Sequence, residues 1–359
     1  MTRTFAFFVA LLFLALPTLG TSQERTARPR VFRTTRGGPS LTVTHHVRTG
    51  VQPKSVNVSP DGTRVVVCNF GRPDRDNVFI YDSLTLAHVG TVSFLGNAVE
   101  SVFTPDGNTL YVSNFRENEV EVIDFTSCIH ATAEAPCTLT PRGVVHTGNL
   151  PKFMAITPDA GTLYVANWGD RSVSVVDTAT LTERRRLPTL MHPRGLIIRP
   201  DGALLAAAFH GDVIHVFPQD AEREITRFSM CELPRHLLLN PDGHTMYVTC
   251  SMGFLGFYDA RDGARSGIAS LGRNPRSIAM TSDARFVGAA NFTSSDVSLV
   301  DTVLRTHRTY PVPGAQRIVG LAMHPSSTTV RLYATSWDTN ELYLLESSEI
   351  PPETPVEAP

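Results

Sequence analysis

A tight-turn signature, Pro-Asp-Gly or a close variant, recurs along the chain. Its acid falls at Asp61, Asp106, Asp159, Asp201, Asp242 and Asp283, and a degenerate His-Pro-Ser-Ser follows at Pro325 and Ser326. The steps between the acids are 45, 53, 42, 41 and 41 residues. Between turns the pattern is short β-branched and aromatic runs, as in TLYVA (162–166) and SVSVV (172–176), with no sustained helical periodicity. A period of this length made of strands excludes the helical solenoids and predicts one propeller blade per unit. Asp caps each turn, and the Gly after it accepts the left-handed backbone that starts the next strand.

Each unit fits one template. An innermost strand runs into the turn, a second strand follows, and a third ends on an acid in most units: Asp82, Asp124, Asp177, Asp259, Asp301 and Glu346. These acids are expected to cap the turn into the outermost strand. Seven units are present but only six interior outermost strands. The missing one is Leu41–Thr49, which precedes the first unit. The expected fold is therefore all-β: a seven-bladed β-propeller with four-stranded blades over 41–346, its ring closed by the N-terminal strand completing the last blade.

TLYVANWGDRSVSVVD and TLYVSNFRENEVEVID resemble the YVTN-repeat, YncE-like family of exported bacterial propellers. The resemblance spans about Leu41 to Glu346. It implies the propeller and leaves function open, because related propellers serve as surface proteins, binding modules and enzymes.

Arg3 followed by the apolar run Phe5–Leu16, Pro17 and the small residues Gly20 and Ser22 reads as a cleaved signal peptide over 1–22. The run is shorter than the roughly 20 residues of a membrane span. An unstructured lead-in is expected over 23–40 and a Pro/Glu-rich disordered tail over 347–359. The expected product is exported, periplasmic or extracellular, with no transmembrane segment after cleavage, and monomeric. Within the 53-residue step, Cys128 and Cys137 are expected to form a disulfide. Cys231 and Cys250 could form a second, and Cys68 is left over.

Function is expected on the face opposite the Asp-Gly turns. There a proline followed by a cation opens the innermost strand: Pro53-Lys54, Pro151-Lys152, Pro193-Arg194, Pro234-Arg235 and Pro275-Arg276. Arg317 falls near the same place in the seventh unit with a one-residue slip, and the second unit breaks the pattern with Ala98-Val99. Asn followed by an aromatic closes the second strand at Asn69-Phe70, Asn114-Phe115, Asn167-Trp168 and Asn291-Phe292. A net charge of -2 makes any electropositive site a local one.

Two readings stand side by side. Lys54, Lys152, Arg194, Arg235, Arg276 and Arg317 form a field-focusing ring for an anionic small molecule, an anionic protein partner or, with the aromatics, a single-stranded nucleic acid. Alternatively they pair with acids of neighbouring blades, such as Asp170, Asp212, Asp296 or Asp338, and the aromatics pack between blades. The leading functional expectation is a binding or scaffold protein. The alternatives are a lactonase-like hydrolase or lyase of a small anionic substrate, with His210 or His236 as base, and an accessory subunit of a periplasmic redox enzyme. His192, His45 and His46 also lie near this face by strand order. No HExxH or haem-attachment spacing occurs, so no cofactor is implied; a divalent metal at the mouth has no spacing to support it.

Overall fold

The computed structural model describes residues 30–35, 39–325 and 329–347. The expected signal peptide, much of the lead-in, Ser326 of the seventh turn and the tail beyond Ser347 lie outside the described residues. Seven antiparallel sheets are arranged as blades. Their innermost strands are Pro53–Val58, Ala98–Phe103, Pro151–Ile156, Pro193–Ile198, Pro234–Leu239, Pro275–Met280 and Ile318–Met323. Seven hydrophobic clusters fill the seven interfaces between blades. One packs Leu299 and Tyr310 of blade six on Leu321 and Tyr343 of blade seven, and another packs Val56 and Tyr81 of blade one on Tyr333 and Leu344 of blade seven.

Ring closure follows the expected route. Leu41–Arg48 pairs antiparallel with Glu341–Ser347, from Leu41 opposite Ser347 to Arg48 opposite Glu341. The last blade thus takes its outermost strand from the beginning of the chain, which runs straight on into the first blade and ties the ring shut.

The turns work as the residues suggest. Asp61 accepts hydrogen bonds from the Thr63 N–H (3.0 Å) and the Thr63 hydroxyl (2.8 Å), and Gly62 sits at φ +76°. In two turns the left-handed residue is alanine: Ala160 at φ +59° and Ala284 at φ +59°. In blade three the turn therefore uses Ala160 there and not the glycine after it, at a cost of roughly 1–2 kcal/mol. Asp82, Asp177 and Asp301 each accept two backbone N–H groups of the following turn, for example Leu304 to Asp301 at 2.8 Å. Glu346 departs from this: it binds Arg331 at 2.8 Å and the Thr44 hydroxyl at 2.8 Å.

Cys128 and Cys137 are bridged. The closed loop then sends Cys137–Leu139 parallel to His88–Val92 as a fifth strand of blade one. Gly90 permits this approach, because a Cβ there would collide with the Cys137 sulfur. Arg64 binds the loop carbonyls of Cys128 (2.9 Å), Ile129 (2.6 Å) and Ala131 (3.0 Å). The insertion is thereby a clasp between blades one and two. Cys231 and Cys250 are bridged as well. Cys250 stands opposite Pro234, as Asn69 stands opposite Pro53. In blade two the matching Asn114 ties the incoming loop through Leu95 O (2.6 Å) and Asn97 N–H (3.0 Å). In blade five the disulfide makes that tie covalently.

The expected unstructured lead-in differs from what is observed over its last residues. Arg30–Val31 and Arg33–Thr34 run parallel to the outermost strands of blades five and six. Phe32 between them is buried, its ring 4.4 Å from Phe257. Two half-satisfied sheet edges and one apolar anchor order a segment whose Arg-rich composition reads as linker. Among the described residues no helix is long and apolar enough to cross a membrane.

Candidate functional site

The ladder between first and second strands slips in every blade just after the opening residue, for instance between Pro151 and Met154 and between Pro234 and Leu237. Such a bulge re-aims side chains out of regular alternation. Hydroxyls hold it open: the N–H groups of Glu100, His236 and Gly320 donate to Ser113 Oγ (3.0 Å), Thr249 Oγ1 (2.9 Å) and Thr335 Oγ1 (2.9 Å). Two successive residues per blade thus stand at the central channel, the cation and its follower.

This register brings Lys54, Lys152, Arg194, Arg235 and Arg276 into one ring. Val99 and Val319 occupy the equivalent places in blades two and seven. Arg317 is not a ring member. It stands two residues before Val319, at φ +57°, and pairs with Asp338 at 3.1 Å on the exposed rim.

The five ring cations have no acid within ion-pair distance among the described residues. The acids expected to pair with them are engaged elsewhere. Asp170 binds the Asn149 N–H (2.8 Å) and Arg186 (3.2 Å), Asp212 caps the Leu233 N–H (2.7 Å), and Asp296 accepts from Asn291 (2.7 Å). The aromatics pack between blades as expected, Phe70 against Phe115 (5.8 Å) and Trp337 (5.9 Å) and Trp168 against Phe209 (5.5 Å), and they also face the cations. Lys152 Nζ lies 3.5 Å from the Trp168 ring centre and 5.3 Å from that of Phe115; Arg276 lies 3.5 Å from Phe292, Arg235 4.7 Å from Phe209, and Lys54 5.3 Å from Trp337. Ring quadrupoles offset part of the charge but supply no counter-ion. Arg235 is buried, and its Nε and that of Arg276 have no hydrogen-bond partner.

Arg194 acts electrostatically on Lys54, Lys152, Arg235, Arg276, Glu100 and His236 alike. Its guanidinium also lies 5.8 Å from the centre of the Trp168 ring. Burial, then Arg194, pulls Lys152 down to about 5, and burial with the same arginine pulls Lys54 well below the lysine range. The guanidinium groups keep their protons more tenaciously than an ammonium, so the lysines relieve the crowding.

One carboxylate stands among these cations, and the sequence reading passed over it. Glu100 follows Val99 in blade two, one of the two blades that lack a ring cation. Burial raises its pKa, while Arg194, Lys54 and Lys152 oppose the rise. The available signal was an acid in the follower position of the one irregular unit.

The histidine expectations need correction. His236 lies in the channel beside Phe153, ring centres 4.6 Å apart, but its Nδ1 accepts the Ile278 N–H at 3.2 Å. Its free nitrogen is therefore an N–H donor, and burial, then Arg194, holds its pKa at about 3. It is a neutral donor and is unsuited to be a base. His210 is on the rim, bonded Nδ1 to Nδ1 with His192 and packed with Trp168 and Phe209. His45 and His46 lie on the outermost strand of blade seven, His46 facing Tyr343 and Glu341, away from the mouth. Cys68 is buried, its thiol raised to about 12 by burial. Among the described residues no three His, Cys, Asp or Glu side chains gather as a metal-binding group.

A family model described as "Lactonase, 7-bladed beta-propeller" matches residues 39–227. Antigen Lp49 of Leptospira interrogans serogroup Icterohaemorrhagiae serovar copenhageni (strain Fiocruz L1-130) is 26% identical over 254 residues, which is 67% of this chain and 53% of that protein. The match thus spans about half the length of that relative. Among solved structures, Kuenenia stuttgartiensis hydrazine synthase superposes with a TM-score of 0.70 at 19% identity, covering 85% of this chain and 99% of that one. At that identity the likeness concerns the fold.

If the ring is an unpaired anion site, Arg194→Met should stabilise the anion-free protein at low ionic strength by about 1–2 kcal/mol, read by denaturant unfolding. The pH dependence has a definite sign. With Lys152 depressed in the folded state, the unfolded chain binds more protons from about pH 5 up to the ordinary lysine range, so stability rises with pH there. The substitution should flatten that rise. Destabilisation by Arg194→Met would mean that the arginine is a structural partner.

Proposed function

The chain belongs to the lactonase family of seven-bladed β-propellers, and from that premise we propose that its cationic mouth binds and hydrolyses a small anionic lactone. The observation that carries the reading is the ring of five basic side chains, none of them in an ion pair among the described residues, around the Glu100 carboxylate. Such a field stabilises negative charge that develops during reaction more than it does a neutral carbonyl. Water attacks the ester carbon while the Glu100 carboxylate takes its proton. The oxyanion forms against Arg194. Collapse breaks the ring C–O bond, and the leaving alkoxide takes the proton back from Glu100. The new carboxyl group of the hydroxy acid then releases its remaining proton to solvent, and the cations hold the carboxylate, with His236 as a neutral donor. The raised pKa of Glu100 suits an acid–base role.

Glu100→Gln should lower kcat on carboxylated lactones about 100-fold or more while KM changes little, and wild-type kcat should fall as pH drops through the raised pKa of Glu100. Lactone opening that is undiminished in Glu100→Gln rejects Glu100 as base. Tight anion binding with no turnover of any lactone would replace the hydrolase with a binding protein. The accessory-subunit reading rests on fold alone, and no residue-level observation adds to it.

Export belongs to the same proposal. Two disulfides support an oxidising compartment, and the repeats fit the YncE-like exported group. N-terminal sequencing of the mature protein should begin near Gln23; a retained Met1 in the cytoplasmic fraction would contradict export.

A further inference from the structure

The outer side of blades five and six carries a second concentration of positive charge. A cavity of about 590 Å³ opens there, lined by Arg30, Arg265 and Arg305 together with Asn240, Thr245 and Tyr247. It shares no lining residue with the central channel or the cation ring. Its walls come from three separate stretches of chain. Asn240, Thr245 and Tyr247 belong to the Asp-Gly turn and second strand of blade five, and Arg265 opens the outermost strand of that blade. Arg305 stands in the turn just before the outermost strand of blade six. Arg30 comes from the N-terminal segment that straps the two blades.

The strap is fixed through its backbone. The Phe32 N–H donates to Ile268 O (2.8 Å) and the Arg33 N–H to Arg305 O (3.1 Å). Gly267 lets the strap come close, since a Cβ there would lie 3.2 Å from Arg30 O. Arg30 and Phe32 are two apart on an extended segment and so share a face. Phe32 is buried against Phe257, and Arg30 lines the cavity on the same side.

The charge in this cleft is unanswered. Among the described residues Arg30, Arg265 and Arg305 are in no ion pair, and no Asp or Glu lines the cavity. Acids on the flanking turns are engaged elsewhere. Asp242 accepts from Asn240 Nδ2 (2.7 Å) and the His244 N–H (2.7 Å), Asp259 pairs with Arg261 at 3.2 Å, Asp262 caps the Ala264 N–H at 2.8 Å, and Asp301 pairs with Arg285 at 3.3 Å. With its nitrogen committed to Asp242, Asn240 keeps a buried carbonyl oxygen that has no donor. Burial, then Asp242, raises the Tyr247 hydroxyl to about 12, so it remains a donor at neutral pH. Guanidinium forks match the oxygens of a phosphate. The volume falls within the roughly 300–1,000 Å³ of organic-ligand sites, so it exceeds what a bare oxyanion needs.

We infer that this cleft binds an organic phosphate monoester, its phosphate held by Arg30, Arg265 and Arg305 and its polar body lying along Asn240 and Thr245. The site is independent of the lactone chemistry at the mouth. One of its three arginines belongs to the strap, so a bound phosphate also ties the N-terminal segment to both blades.

Calorimetric titration with glycerol 3-phosphate, inorganic phosphate and glycerol, on the wild type and on Arg194→Met, tests this. The mouth variant separates the two anion sites. Glycerol 3-phosphate should still bind Arg194→Met, more tightly than inorganic phosphate does, and glycerol should not bind. Arg265→Gln and Arg305→Gln, both at exposed positions, should each weaken that binding about 10- to 100-fold without lowering the melting temperature; Arg30→Gln should do the same. Bound glycerol 3-phosphate should also slow trypsin cleavage after Arg30 and Arg33 in the wild type, but not in Arg265→Gln. Binding that is lost in Arg194→Met and kept in Arg265→Gln and Arg305→Gln assigns the phosphate to the mouth and overturns the cleft as its site. Equal affinity for inorganic phosphate and glycerol 3-phosphate overturns the organic ester as the ligand.

Discussion

Like-charge crowding at the channel mouth is the interaction on which the functional part of this structure depends. Five cations converge and one carboxylate answers them, so the anion-free mouth is held away from its electrostatic optimum. The aromatic rings beneath the cations and the downward pull on the lysine pKa values both answer that imbalance. A fold tolerates such a site when the rest of it is over-determined. Here seven separate interfacial cores, a shared last blade and two disulfides hold the mouth rigid. An incoming anion then finds donors already oriented, and little of its binding energy goes into ordering them.

The repeat explains how the imbalance arises. One bulge per innermost strand, fixed by a hydroxyl from the second strand, points a cation at the same axial height in five blades. Symmetry concentrates charge; the functional asymmetry comes from the exceptions. Blade two gives up its cation and offers Glu100 one residue later. Blade five replaces the asparagine tie with Cys231–Cys250 next to Arg235 and His236. Blade seven moves its arginine out to a rim ion pair with Asp338. Four followers of the cations, Ser55, Phe153, His236 and Ser277, line the channel behind the ring.

Much of this was readable from the residues, for identifiable reasons. Turns and strand periods are local, so the Asp-Gly turns, the capping acids and the blade count follow from sequence alone. Closure by Leu41–Arg48 followed from counting strands. What escaped was set by register and by partners distant in sequence. Arg317 looked equivalent to Arg276 until the ladder put Val319 in its place. His236 looked like a base until the Ile278 N–H occupied its Nδ1. Glu100 was hidden because the repeat marks the position of Val99, and the acid sits one step beyond it. Residues 30–35 read as linker because their partners, Gly267 and Thr306 among them, lie more than two hundred residues away.

The central claim is that the mouth is short of negative charge, and proton linkage tests it most directly. Titration of a fully ionised anion such as sulfate at pH 7, in two amine buffers of different ionisation enthalpy, gives the number of protons exchanged on binding. An anion beside Lys152 and Lys54 must raise their depressed pKa values, so binding should take up about one proton per anion, and Arg194→Met should reduce the uptake. Binding with no proton exchange, or with proton release, would mean that the lysines are already charged and compensated, and the account of the site would be wrong.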